Sequence, residues 1–132
     1  MILLDTHAWI RWLHPEISRK LPDGLRAWLE ASDEPFAVSV ISALEVAQLV
    51  KKGVLKLPIS LPEWFNAALA GSDIQRLPLT PNLLHAATVL PDIHKDPVDR
   101  IIIATAQERK AQRVTADETI QTYPDLRTVW KV

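Results

Sequence analysis

Met1-Ile2-Leu3-Leu4-Asp5-Thr6-His7-Ala8-Trp9-Ile10-Arg11-Trp12-Leu13 opens the chain, and the change of character at Asp5 decides the fold class. Met1 to Leu4 is a continuous apolar run with no polar alternation, which suits a strand covered on both faces. Asp5, Thr6 and His7 end it, and Ala8 to Leu13 resumes an apolar stretch that reads as helix. A buried strand, a polar break and a helix make the first β–α step, and the same alternation recurs downstream.

A helix is expected over Pro22 to Ala31, with Leu21, Leu25, Trp28 and Leu29 as its apolar stripe. Phe36-Ala37-Val38 reads as a second buried strand. Ser42 then begins a helix carrying Leu44, Val46, Ala47, Leu49 and Val50, with Gly53 as its stop. Pro62 opens a helix to about Ala70, and Ile74 to Leu79 reads as a third strand. Thr80-Pro81 and Asp96-Pro97 each place a capping side chain before a proline at the first helical position. The helices they open run to about Leu90 and about Lys110. Arg113-Val114-Thr115 and Arg127 to Trp130 supply the fourth and fifth strands. Short apolar strands alternating with helices predict an α/β domain, a parallel sheet with right-handed connections and helices on both faces.

Composition narrows the class. At 132 residues the chain suits one domain over 1–132. With 48% hydrophobic and 23% charged residues, it is not a disordered segment. The absence of cysteine excludes disulfide frameworks, thiol redox chemistry and cysteine nucleophiles. A net charge of −1 gives no global field that would draw in a polyanion. The N-terminal segment has neither a basic region nor a long apolar run, so neither signal peptide nor membrane span is expected, and the cytoplasm is the expected location.

In open parallel sheets, ligands bind beyond the carboxyl ends of the strands. Asp5 stands at the end of the first strand, and Glu45 in the first turn of the helix after the second. Asp99 stands in the first turn of the helix opened by Asp96-Pro97, and Asp117 just past the fourth strand. Carboxylates gathered at one edge repel unless some are protonated or a cation sits between them. A donor set of oxygens without sulfur suits magnesium or manganese rather than zinc. Such an ion activates water and neutralises charge on a phosphate oxygen.

Each acid also has a helix-end reading. Ser42-Ala43-Leu44-Glu45 is a capping box, Asp96 caps with Asp99 in the same turn, and Asp117 can cap a turn over Glu118 to Gln121. Asp5 is the acid that no helix-start signal fully explains. His7 and His94 fall near the acids, but the four histidines show no metal-ligand spacing.

The segments Leu3-Leu4-Asp5-Thr6-His7-Ala8-Trp9, Ser39-Val40-Ile41-Ser42-Ala43-Leu44-Glu45, His94-Lys95-Asp96-Pro97-Val98-Asp99-Arg100-Ile101-Ile102-Ile103-Ala104-Thr105-Ala106 and Val114-Thr115-Ala116-Asp117 resemble, in order, the successive motifs of PIN-domain proteins. Among these, the chain is most similar to VapC-type toxins of bacterial toxin–antitoxin pairs. The resemblance implies a three-layer PIN-like domain with a central five-stranded parallel sheet. It also implies a magnesium-dependent endoribonuclease, with manganese as a possible substitute.

Asp5, Glu45 and Asp99 match the family's core acids and metal ligands, and Asp117 matches a more variable fourth. Asp96 stays open as a partner or substitute for Asp99. Thr6 and Thr115 would orient carboxylates or waters. The implied chemistry is in-line attack of an activated water on an RNA phosphate. The implied partners are a cognate antitoxin and a second copy of the chain in a two-fold homodimer.

Arg11, Lys95 and Arg100 flank the acids in sequence and are the candidate contacts to RNA phosphates. Lys51, Lys52 and Lys56 read as a solvated helix end. Trp9 and Trp12 read as core. Two other functions remain open. One is a phosphatase using Asp5 as nucleophile, although His7 stands where that chemistry wants a second Asp. The other is a non-catalytic binding module whose acids serve only as caps.

Overall fold

The strands Ile2–Leu4 (β1), Phe36–Ser39 (β2), Gln75–Leu77 (β3), Gln112–Val114 (β4) and Arg127–Val129 (β5) pair in the order β3-β2-β1-β4-β5. Every neighbouring pair is parallel, with Leu3 opposite Ala37 on one side and Arg113 on the other. This computed structural model describes residues 1–16 and 19–132. The helices are α1 (Thr6–Leu13), α2 (Asp23–Ala31), α3 (Ile41–Lys51), α4 (Leu61–Phe65), α5 (Pro81–Thr88) and α6 (Pro97–Arg109). A π-helical turn, Asn66–Ala70, continues α4, and a 3-10 turn covers Ile120–Thr122.

The apolar run of β1 is explained by its central place. Ile2 and Leu4 join a cluster with Trp9, Leu25, Leu29, Val46 and Trp64. Leu3 points the other way, to Leu77, Ile102 and Ala106. Burying such side chains contributes about 1.5–3 kcal/mol each, so both faces of β1 have to be apolar. Trp9 and Trp64 are buried with ring centroids 4.9 Å apart, and Trp12 lies against Phe36 at 5.4 Å, as the core reading expects.

Several boundaries differ from the sequence reading, each for a local reason. Helix α1 begins at Thr6, because Asp5 is its N-cap: the Ala8 N–H donates to Asp5 Oδ1 at 2.9 Å. Asp5 therefore does have a helix-start role. Helix α3 begins at Ile41 without the Ser42–Glu45 capping box; Val40 is already helical and makes no side-chain cap. Strand β3 is shorter than Ile74 to Leu79, since Pro78 has no N–H to continue the ladder. Thr80 and Asp96 cap α5 and α6 as expected, accepting from Leu83 N–H at 3.2 Å and Val98 N–H at 2.9 Å. Gly53, with φ 74°, takes the left-handed conformation just past α3. No helix among the described residues is long and apolar enough to cross a membrane.

Candidate active site

Parallel pairing sends the carboxyl ends of all the strands to one edge, so the segments following β1 and β4 are neighbours there. Asp5, Asp99 and Asp117 line a common cleft of about 310 Å³ with His7, Ala8, Arg11, Ala116, Ile120 and Trp130. Asp5 is aimed by its own capping bond. Its backbone N–H also donates to the Val114 carbonyl at 3.3 Å, tying the end of β1 to β4.

Glu45 comes to the site from α3. The buried Thr6 hydroxyl donates to Glu45 Oε1, and the Ser42 hydroxyl lies 3.0 Å from Thr6 Oγ1. Thr6 thus holds the Glu45 carboxylate in place. Burial raises the Glu45 pKa; the Thr6 hydrogen bond opposes that rise and the nearby Asp99 charge adds to it.

Asp99 is not engaged in capping. Its Oδ1 faces the Arg113 guanidinium at 3.5 Å, and its Oδ2 faces His94 Nε2 at 3.2 Å. Burial is the main cause of its raised pKa; Arg113 and His94 pull it down, and Asp96 and Asp5 push it up. Asp96 itself is an exposed cap, as its bond to Val98 shows. Asp117 has two occupations. Its Oδ1 caps the 3-10 turn through Thr119 N–H at 2.8 Å and Ile120 N–H at 3.2 Å, while Oδ2 lies 3.3 Å from His94 Nε2. Thr115 is buried, and its hydroxyl accepts the Asp117 backbone N–H at 3.2 Å, so it sets the chain rather than a carboxylate.

Two residues of this constellation were given no role in it by sequence reasoning. Arg113 is 0% exposed and lies close enough for its charge to feel Asp5, Asp99, Asp117 and Glu45. A charged residue inside a central strand was the available signal, since arginine is almost never fully buried without a partner. The sequence puts His94 near the acids but gives it no role there. Its Nδ1 accepts the Asp96 N–H at 3.1 Å, so the neutral ring carries its proton on Nε2 and presents it to Asp99 and Asp117. The loop bearing His94 is pinned from two sides. The Tyr123 hydroxyl accepts His94 N–H at 2.7 Å, and Arg100 donates to the His94 carbonyl at 3.0 Å.

The three phosphate-contact candidates separate. Arg11 lines the acidic cleft. Lys95 and Arg100 line a different cavity, with Leu84, Ala87, Thr88, Pro97 and Ile101. The Arg100 guanidinium is already committed: Nε donates to Ala87, Nη1 to Pro91 and His94, and Nη2 to Thr88 and Leu90, all of them backbone carbonyls. A guanidinium has five N–H donors, so none is left over for a phosphate.

The donor set fits a hard divalent cation. The charges of Asp5, Glu45, Asp99 and Asp117 all act on the buried Arg113, and two of the acids are pushed toward protonation by burial. One atom each of His94, Asp99 and Asp117 lie within 4.8 Å of one another. The proton on Nε2 leaves that nitrogen no lone pair, so oxygen ligation by the acids fits better than a mixed site with imidazole.

Comparison with known proteins shows the family and the fold. The PIN domain family model matches residues 2–126. Ribonuclease VapC22 of Mycobacterium tuberculosis is 32% identical over 132 residues, covering 98% of each chain. The fold superimposes on the structure of FitAB bound to an IR36 DNA fragment with a TM-score of 0.70 at 20% identity, covering 100% of this chain and 97% of that one. It superimposes on VapBC2 from Rickettsia felis, bound to a DNA fragment from their promoter, with a TM-score of 0.68 at 19% identity and 98% coverage of both. With a family match across nearly the whole sequence and a five-stranded parallel sheet, the chain belongs to the PIN-domain family.

Proposed function

We propose that the chain is a divalent-metal-dependent endoribonuclease and the toxin of a toxin–antitoxin pair, with Asp5, Glu45 and Asp99 holding magnesium or manganese and Asp117 as a fourth acid. The observation that carries this is the cleft that Asp5, Asp99 and Asp117 line together from separate chain segments, with Asp99 backed by the buried Arg113. The name of the relative Ribonuclease VapC22 supports the nuclease part of the reading.

When bound, the ion supplies Lewis-acid stabilisation of a phosphate oxygen and a lowered pKa for water. The chain's own residues set the geometry. Asp5 is held by its cap and Glu45 by Thr6, while Arg113 backs Asp99. The His94 Nε2–H keeps Asp99 and Asp117 side by side. Arg11, among the described residues the one arginine or lysine lining the cleft, is placed to meet the substrate phosphate.

The solved relatives include toxin–antitoxin complexes, such as that from Klebsiella pneumoniae. On that basis the proposed protein partner is an antitoxin that sets a basic side chain against the acids. A two-fold homodimer acting in the cytoplasm completes the proposal.

Purified protein with magnesium should cut structured RNA, and both Asp5→Asn and Asp99→Asn should abolish cutting. Wild-type cleavage by either variant would overturn the site assignment. The caps made by Asp5 and Asp117 favour a second reading, a non-catalytic module. That reading predicts that manganese leaves the melting temperature unchanged. A metal site is instead stabilised by linkage, by about 2.7 kcal/mol at a ligand concentration one hundred times Kd.

A further inference from the structure

Trp130 stands apart from the other described tryptophans by its place at the acidic cleft. It follows β5, whose carboxyl end lies beside that of β4, so its half-buried ring reaches the same edge as Asp117. Together with Ala116 it lines both the acidic cleft and a second hollow of about 290 Å³, whose other walls include Glu118, Gln121 and Lys131. Across the ring lies Arg11, its guanidinium carbon 5.5 Å from the ring centroid. Arg11 belongs to α1, the helix that Asp5 caps, so one short element aims both a carboxylate and the cation that covers the ring.

We infer that Trp130 and Arg11 form a stacking platform for an unpaired base of single-stranded RNA, next to the phosphate held at the acids. The inference rests on the ribonuclease reading above and adds to it a base-binding subsite. An aromatic ring offers its face to any base, and a guanidinium stacks on a base while its edge pairs with phosphate. A base inside a duplex has both faces covered by its neighbours, so the platform selects unpaired nucleotides. The hollow beyond Trp130, with Lys131 at its wall, gives the strand somewhere to continue.

The test measures binding of a short labelled single-stranded RNA, with calcium replacing magnesium to suppress cutting. The same strand with one abasic position is measured in parallel, on wild type, Trp130→Leu and Trp130→Phe. Removing a stacked base should cost wild type about tenfold in affinity, and Trp130→Leu should lose about as much on the intact strand. Trp130→Phe, which keeps a ring, should retain most of the affinity. On the abasic strand, Trp130→Leu should show no further loss, because the two changes remove one interaction.

Equal binding by Trp130→Leu and Trp130→Phe, or additive losses in the pairwise comparison, overturns the platform. If Trp130→Leu does not fold, the abasic scan on wild type decides: no position whose loss weakens binding overturns the inference. Cleavage of the intact strand by wild type with magnesium is read alongside. Cleavage with additive losses removes the platform and leaves the nuclease reading standing; neither binding nor cleavage removes both.

Discussion

At the scale of single residues, helix capping and site chemistry changed places among the acids. Asp5, which no helix-start signal in the sequence fully explains, is a true N-cap, whereas Glu45 and Asp99, which local spacing allows as caps, are turned to other partners. The reason is sequence distance. A cap is read from residues three apart, but Thr6 meets Glu45 across 39 positions and Asp99 meets Arg113 across 14, which no local pattern displays.

Substitutions separate the two jobs of Asp5. Asn is as good a cap as Asp, so Asp5→Asn should melt within about a degree or two of wild type, whereas Asp5→Ala should lose about 1 kcal/mol. Both should lose metal-dependent cutting, as read by urea unfolding beside an RNA assay.

A second prediction concerns pH. Burial sets the folded pKa values of Glu45 and Asp99 above their unfolded ones. The folded protein therefore binds more protons than the unfolded chain just above the usual carboxylate range. The contribution of these groups to metal-free stability should rise as pH falls from neutral into that window and be lost as pH climbs back out. Glu45→Gln and Asp99→Asn should each flatten the slope. Saturating magnesium should flatten it too.

At the scale of elements, alternation of apolar runs with helix signals was enough to specify the parallel sheet, because both faces of β1 are covered and Thr80-Pro81 and Asp96-Pro97 mark the starts of α5 and α6. What alternation could not convey was which charged side chain each element turns inward. Arg113 sits in a strand read only for its apolar neighbours, and Arg100 was read as a phosphate contact when it closes the end of α5. Its guanidinium joins the last carbonyls of α5, Ala87 and Thr88, to Leu90, Pro91 and His94 in the loop before α6.

Arg100→Met should therefore destabilise by about 2–3 kcal/mol through stranded carbonyls, with little rescue by Lys, whose point charge cannot reproduce the fork. The salt dependence of RNA binding should be unaffected by that change, whereas Arg11→Gln should reduce its slope by about one. Binding isotherms at several salt concentrations check both.

At the scale of the whole molecule, a net charge of −1 and an acidic cleft give RNA no reason to approach without a cation. Chelation with EDTA should therefore weaken RNA binding as well as stop cutting, by tenfold or more, and anisotropy with a labelled RNA would show it. The proposed homodimer is checked by sedimentation. Leu84, Val89 and Ile93 are exposed apolar side chains on or just after α5, and Leu84→Glu with Val89→Glu should shift a dimer toward monomer if that face is buried in it.

The shortness of the outer strands bears on how such copies can meet. Both edges of the sheet, β3 and β5, are three residues long, and each carries an exposed arginine, Arg76 and Arg127. A brief, charged margin is a poor template for another chain's backbone. Growth by strand addition, the route to fibrils, is thereby blocked on both flanks, and association is left to the helical faces.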